Sequence, residues 1–156
     1  MSETIAQEHF TSVLFDLLDE TFENHHGIFL DKGTSLFETL AGVDAAQASI
    51  PVGGKCATLA AQVAHVNFYL EVLERYILGQ DGDSVDWGEI WRTVDTVTPE
   101  EWRRLKEQLV QTYQRVLGIM RGLDWDSETS IGGALAIVVH TAYHLGEIRQ
   151  ALCTLT

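Results

Sequence analysis

The apolar residues of this chain recur at steps of three and four over four long stretches, a spacing typical of amphipathic helices. The first stretch predicts a helix over residues 4–24, at whose start Thr4 and Gln7 fit the spacing of a capping box. Its apolar stripe consists of Phe10, Val13, Leu14, Leu17, Leu18 and Phe22. A long connection over residues 28–54 follows, and within it residues 35–41 form one short amphipathic piece.

The second stretch predicts a helix over residues 57–78, which Gly79 ends. Its apolar positions alternate four and three residues apart, as in the seam of a helix bundle: Leu59, Val63, Val66, Leu70, Leu73 and Ile77. Residues 79–97 are rich in Gly, Asp and Trp and are predicted to form a loop with at most one turn of helix. A loop of this length is usually functional or a crossover, and it could serve as a lid.

The third helix has the clearest start signal in the chain. Thr98 is its predicted N-cap, Pro99 takes the first helical position, and Glu101 completes a capping box. The helix is predicted to end near Gly122. Its apolar stripe consists of Trp102, Leu105, Leu109, Val116, Met120 and Leu123.

The fourth helix is predicted over residues 132–153, with Ser130 as its cap. Apolar residues occupy almost every side of it, namely Leu135, Ile137, Val138, Val139, Ala142, Leu145, Ile148 and Leu152. A helix with so little polar surface is expected to be covered on most sides. In a bundle, that cover has to come from the long loops or from a second subunit.

Together these elements predict an all-α fold, a four-helix bundle with long connections after helices 1 and 2. The 156 residues have the length of one domain, which we predict to span residues 1–156. The hydrophobic fraction of 46% is ordinary for a folded chain and unlike a disordered one.

The chain is strongly acidic, with a formal net charge of −13. This charge argues against a nucleic-acid partner, which needs a basic face, and against docking on an anionic membrane. No uninterrupted apolar run reaches the roughly 20 residues of a membrane span, and no secretory signal is visible, so we expect a cytoplasmic location. In a reducing compartment, Cys56 and Cys153 are expected to be free and mostly packed thiols.

Histidines are the candidate carriers of chemistry. His140 and His144 stand four residues apart, so both imidazoles project from one face of the fourth helix and can share an ion. His65 lies in the middle of the second helix and can face this pair if the two helices are neighbours. Three imidazoles would then converge and leave one position of a tetrahedral ion open, as in catalytic zinc sites.

One alternative to a metal site stays open from the residues alone. A buried imidazole needs a hydrogen-bond partner, and nearby hydroxyls could satisfy the cluster without any ion. Residue 141 is Thr, so the HExxH pattern of zinc proteases is absent. The remaining histidines, His9, His25 and His26, are expected at the surface.

Two segments resemble motifs of the DinB-like (damage-inducible) metalloprotein superfamily. VAHVNFYL, residues 63–70, resembles its second-helix histidine motif, and HTAYHLGEIRQ, residues 140–150, resembles its last-helix motif, usually HxxxHxGQI. SLFETL, residues 35–40, is similar to the stretch between the first two helices in one branch. The resemblance covers essentially the whole chain in the order of helices and the placement of loops.

The resemblance implies a four-helix bundle, often a homodimer, with one divalent ion, commonly zinc or nickel. Three histidines hold that ion in the family, and here they would be His65, His140 and His144. Glu147 stands where the family often has Gln. It could orient a ligand, act as a fourth ligand, accept a proton or simply be a solvated surface carboxylate.

The better understood branches of this superfamily are transferases and isomerases that use a low-molecular-weight thiol such as bacillithiol or mycothiol. We therefore predict a metal-dependent enzyme that acts on a small-molecule substrate, by thiol transfer or, as the second choice, by metal-assisted hydrolysis. A hydrophobic electrophile would lie against aromatic residues such as Tyr69 or Trp87. The alternative is a non-catalytic metal-binding protein of the stress response or a dimerisation bundle.

Overall fold

A computed structural model describes residues 4–80 and 84–155, and every regular element within these ranges is a helix. The all-α prediction is therefore confirmed. A short 3-10 helix covers Val52–Gly54. The α-helices in the described ranges are α1 (Gln7–Phe22), α2 (Leu36–Ala41), α3 (Ala45–Ala48), α4 (Leu59–Ile77), α5 (Glu89–Thr93), α6 (Pro99–Arg121) and α7 (Glu128–Leu152).

The four long helices are those that the apolar pattern predicts, but two of the predicted starts are wrong. α1 begins at Gln7 itself, so this residue cannot close a capping box from Thr4, and the N-cap residue Ala6 offers no side-chain acceptor. α7 begins one turn early because Ser127 is its cap, and the backbone N–H of Ser130 donates to Ser127 Oγ over 3.0 Å. The capping box at the start of α6 is confirmed.

The connection after α1 is more ordered than its sequence suggests. Ser35 and Glu38 form a capping box at the start of α2, which confirms the short amphipathic piece. Asp44 and Gln47 form another around the four-residue α3, which the sequence reading missed. The predicted loop after α4 contains the five-residue helix α5, which is slightly longer than the single turn predicted.

A buried carboxylate organises the turn that leaves α1. Glu20 is fully buried, and its two oxygens accept hydrogen bonds from the backbone N–H groups of His26, Gly27, Ile28 and Phe29 at 2.6–3.2 Å. Four consecutive donors aimed at one carboxylate make an anion nest. The loop is thereby closed over the end of α1.

Helix α4 is the centre of the packing and makes its most extensive contacts with α7 and α6, while α1 packs against α7. The seam that the sequence predicts on α4 is buried throughout. Gly133 of α7 is buried against α4, and a Cβ atom there would lie 2.6 Å from Ile77 Cγ1. This close approach lies at the end of α4 and near the start of α7. These helix pairings do not by themselves establish a closed four-helix bundle, which stays a prediction.

One face of α7 stays open, against the expectation that the helix is covered on most sides. Leu135, Val139 and Tyr143 follow one another along that face, and their exposed fractions are 41%, 67% and 62%. None of the described loops folds over this face. α7 is also the one described helix long and apolar enough to cross a membrane by length and composition. A partly buried core helix passes that test too, and the structure is compatible with a soluble protein.

Both cysteines are free, as predicted, but the expectation that they are packed is wrong. Cys56 lies in the turn before α4 and Cys153 follows the last residue of α7. Chain ends and turns expose their side chains, and both thiols are exposed here.

Candidate metal centre

Helices α4 and α7 bring the three predicted histidines together. His140 Nε2 lies 3.1 Å from His65 Nε2 and 3.2 Å from His144 Nε2. All three nitrogens lie within 4.8 Å of one another, and the cluster could hold a metal ion. His65 and His144 are buried and His140 is half-buried, so the site lies beneath the surface between the two helices.

The imidazoles are held in the neutral form at physiological pH. Burial lowers the pKa of His140 to about 3, and repulsion from His144 and His65 adds to this effect. Burial together with repulsion from His144 lowers the pKa of His65 to about 4, against a weak opposing effect of Glu147. Burial also lowers the pKa of His144. Only a neutral imidazole has the lone pair that a metal ligand needs.

Two acceptors on the far side of His144 set its tautomer. Gln62 Oε1 lies 2.6 Å and Glu147 Oε2 3.0 Å from His144 Nδ1. Both oxygens accept, so Nδ1 carries the proton and the lone pair of Nε2 faces the other two histidines. Glu147 also raises the pKa of the exposed Tyr143 hydroxyl. Glu147 therefore lies at the position of a group that orients a ligand, and it is not among the side chains that converge at the Nε2 atoms.

The observed spacing is compatible with a metal ion held by the three Nε2 atoms. Nitrogens bound at about 2.0–2.1 Å to a tetrahedral ion lie about 3.3 Å apart, close to the two Nε2 separations of 3.1 and 3.2 Å. The same two separations also fit hydrogen bonds between imidazoles, so a cluster without an ion stays an alternative. His65 Nδ1 and His140 Nδ1 are buried and find no partner among the described residues, and an ion on the Nε2 side would not supply one.

Aromatic side chains from three helices flank the imidazoles. Tyr69 of α4 stacks on His140, with ring centroids 3.5 Å apart. Trp91 of α5 lies 4.4 Å from His65, and Tyr143 meets the edge of His144 at 5.0 Å. These rings limit the access of water to the cluster from its sides.

The sequence analysis does not predict Trp91 or Gln62 at the cluster, and Trp87, predicted to contact the electrophile, lies one layer beyond Tyr69. Trp87 contacts Tyr69 and Phe68 and is not in ring contact with the three histidines. The signal for Gln62 was its position three residues before His65, on the same helix face. Trp91 could not be assigned to the cluster from the sequence, because it lies within the predicted loop that contains α5.

The remaining histidines lie outside the site, as predicted. His9, His25 and His26 are exposed, and His26 pairs with Asp19 of α1. The three clustered histidines are thus separated by position and burial from the rest.

The contact between Glu147 and His144 predicts a measurable change in metal affinity. We expect Glu147→Gln to lower the affinity for zinc about tenfold or more, because the carboxylate supports the proton on Nδ1 of His144. Competition with a chromogenic chelator measures this affinity. Glu128→Gln, an exposed change in the first turn of the same helix, is the matched control and should stay within twofold. Equal losses in both variants would contradict an orienting role.

Comparison of the chain with protein-family models, curated proteins and solved structures finds no match. The resemblance to the DinB-like superfamily is therefore neither supported nor refuted by these comparisons, and it stays a prediction.

Proposed function

We propose that this protein is a divalent-metal-dependent enzyme that transfers a small thiol to an apolar electrophile. The observation that carries the proposal is the convergence of three neutral imidazoles with no fourth ligand beside them among the described residues. Three protein ligands and one free position are the arrangement of catalytic zinc sites, whereas structural sites have four.

Each group around the cluster has a role in this proposal. His65, His140 and His144 would hold the ion, and Gln62 and Glu147 keep the His144 lone pair directed at it. A divalent ion there supplies a Lewis acid, which brings the pKa of a thiol or a water molecule near neutral.

The exposed aromatic rings near the cluster indicate that the proposed substrate is hydrophobic. Trp91 exposes 38% of its surface beside the imidazoles, and Trp87 exposes 47% one layer further out. Apolar rings offer contact area to a hydrophobic molecule and little to a charged one. In the transfer itself, the thiol releases its proton to solvent, its sulfur bonds to the electrophilic carbon, and the leaving group departs from that carbon with the electron pair of the broken bond.

A thiol-transfer screen tests this function. Zinc- or nickel-loaded protein is mixed with bacillithiol, mycothiol or glutathione and a chromogenic aryl halide. Adduct formation is expected to require the metal, to stop in His65→Ala and to persist in His25→Ala, which alters an exposed histidine far from the cluster. Activity that survives removal of the metal would exclude the mechanism. Stoichiometric metal binding without thiol transfer or hydrolysis would instead support the non-catalytic alternative.

We propose further that a second copy of the chain covers the open face of α7. Leu135, Val139 and Tyr143 form an uncharged strip on a chain whose net charge of −13 otherwise opposes self-association. Val139→Glu is expected to shift a dimer to a monomer, because it places a carboxylate in the centre of the buried strip. Light scattering after gel filtration measures the mass. Glu128→Gln, on the same helix outside the strip, should leave the dimer intact; a monomeric wild type would refute the proposal.

A further inference from the structure

A cavity lies behind the metal centre, on the opposite side of His144. Its volume is about 460 Å³, within the range of small-molecule sites. The 3-10 helix, the start of α4 and the last turns of α7 supply its walls. Val52, Leu59 and Ala151 make most of the surface apolar.

Gln62, Glu147, Gln150 and Thr154 are the polar groups of the lining besides the Cys56 thiol, and two of them contact the histidine cluster. These two are Gln62 and Glu147, whose oxygens contact His144 Nδ1. Among the described residues of its wall, Glu147 alone carries a charge, and no Lys or Arg lines the cavity to neutralise it. The cavity thus combines an apolar chamber with a single anionic acceptor.

We propose that this cavity binds a small alkylammonium ligand. The apolar walls would take an unbranched chain of about six carbons, and the ammonium group would donate hydrogen bonds to the Glu147 carboxylate. A carboxylate ligand is disfavoured by Glu147 and by the net charge of −13. An alcohol of the same length would fill the chamber but would lack the charge-assisted hydrogen bond.

The cavity and the metal centre share Glu147, so the two should influence each other. An ammonium group draws the carboxylate away from His144 Nδ1, and a metal ion on the other side of the ring repels the ammonium charge. Through both effects, a bound metal ion and a bound ammonium ligand are expected to weaken each other's binding. This consequence rests on the proposed metal site, whereas occupancy of the cavity itself does not.

Calorimetric titration of the metal-free protein with hexylammonium, 1-hexanol and hexanoate tests the cavity. Hexylammonium is expected to bind at least tenfold more tightly than hexanol, and hexanoate more weakly than both. Glu147→Gln should bring hexylammonium and hexanol to within threefold of each other. Equal affinities of the three probes for the wild type, or no saturable binding, would overturn the proposal.

Two glycines of α7 provide a matched pair of variants that locate the binding. Gly146 lies on the cavity wall and Gly132 lies outside it, and a Cβ atom at either position meets nothing within 4 Å. Gly146→Leu places a side chain into the chamber and should weaken hexylammonium at least tenfold, whereas Gly132→Leu should stay within twofold. Unchanged binding in Gly146→Leu would place the ligand elsewhere and refute the assignment.

The two free cysteines supply an independent readout. Cys56 lines this cavity and Cys153 does not, and both are exposed to alkylating reagents. Saturating hexylammonium is expected to slow the alkylation of Cys56 at least threefold and to leave Cys153 unchanged. Equal protection of the two thiols would contradict the assignment.

Repeating the titration with zinc-loaded protein separates this inference from the proposed function. Hexylammonium is expected to bind about fivefold more weakly once zinc is present, and zinc more weakly by the same factor in hexylammonium. If hexylammonium bound equally tightly to the metal-free and the zinc-loaded protein, the assignment of the cavity would stand and the coupling would be refuted. Failure of zinc to bind would refute the proposed metal site and leave the result for the metal-free protein standing.

Discussion

Replacing His140 by alanine is expected to abolish zinc binding and, with it, the stabilisation that zinc confers on the folded chain. His140 is the central member of the cluster, since its Nε2 atom contacts both His65 and His144. Two remaining imidazoles, one on each of α4 and α7, no longer surround a tetrahedral ion. The metal-free stability should change much less, because the lost imidazole is desolvated and its Nδ1 atom has no partner among the described residues.

Thermal and urea unfolding with and without zinc measures this difference. A ligand at a thousand times its Kd stabilises the native state by about 4 kcal/mol, and we expect that gain in the wild type and none in His140→Ala. Metal content by mass spectrometry should fall from near one ion per chain to near zero. His25→Ala changes an exposed histidine outside the cluster and should retain both the ion and the gain. If zinc stabilised His140→Ala as much as it stabilises the wild type, the ion would bind at another site.

Glu20→Gln is expected to be the most destabilising single polar change in the described part of α1. Glu20 is fully buried, and four backbone N–H groups of the following loop donate to its carboxylate. An amide removes the charge and turns one acceptor into a donor that faces other donors. We expect a loss of about 3–5 kcal/mol in the free energy of unfolding, the range found when a buried charge loses its partner.

The same carboxylate predicts how stability depends on pH. Burial by itself raises the pKa of Glu20, but hydrogen bonds from the backbone of Phe29, Ile28, His26 and Gly27 outweigh it and lower the pKa from 4.5 to about 2. A pKa lowered by folding means that the unfolded chain binds the proton more readily. The contribution, on the order of 3 kcal/mol, is therefore complete above pH 4.5 and is lost as the pH falls from 4.5 towards 2.

Urea unfolding between pH 2.5 and 7 measures both effects. The difference in stability between wild type and Glu20→Gln should be largest near neutral pH and should shrink as the wild-type carboxylate is protonated. Glu8→Gln, an exposed change in the first turn of the same helix, should alter stability by less than about 1 kcal/mol. A difference that does not vary with pH would show that Glu20 acts through packing and not through its charge.

Local patterns in the sequence were enough to identify the long helices and part of the site. Apolar spacing located α1, α4, α6 and α7, because a buried helix face repeats every three to four residues whatever it packs against. The capping box at Thr98 was equally readable, since the cap and its partners lie within four residues. His140 and His144 could be paired for the same reason, because one helical turn places them together.

Contacts across the chain were decided only by the tertiary structure. His65 joins the pair because α4 packs against α7, and its meeting with His140 spans 75 residues. Gln62 and Trp91 reach the cluster, and Glu20 is enclosed by backbone N–H groups, through contacts that leave no periodic signal. The open face of α7 is another feature that the sequence alone could not predict. Hydrophobicity predicts that a helix prefers burial, but which of its faces finds a partner depends on the positions of all the other helices.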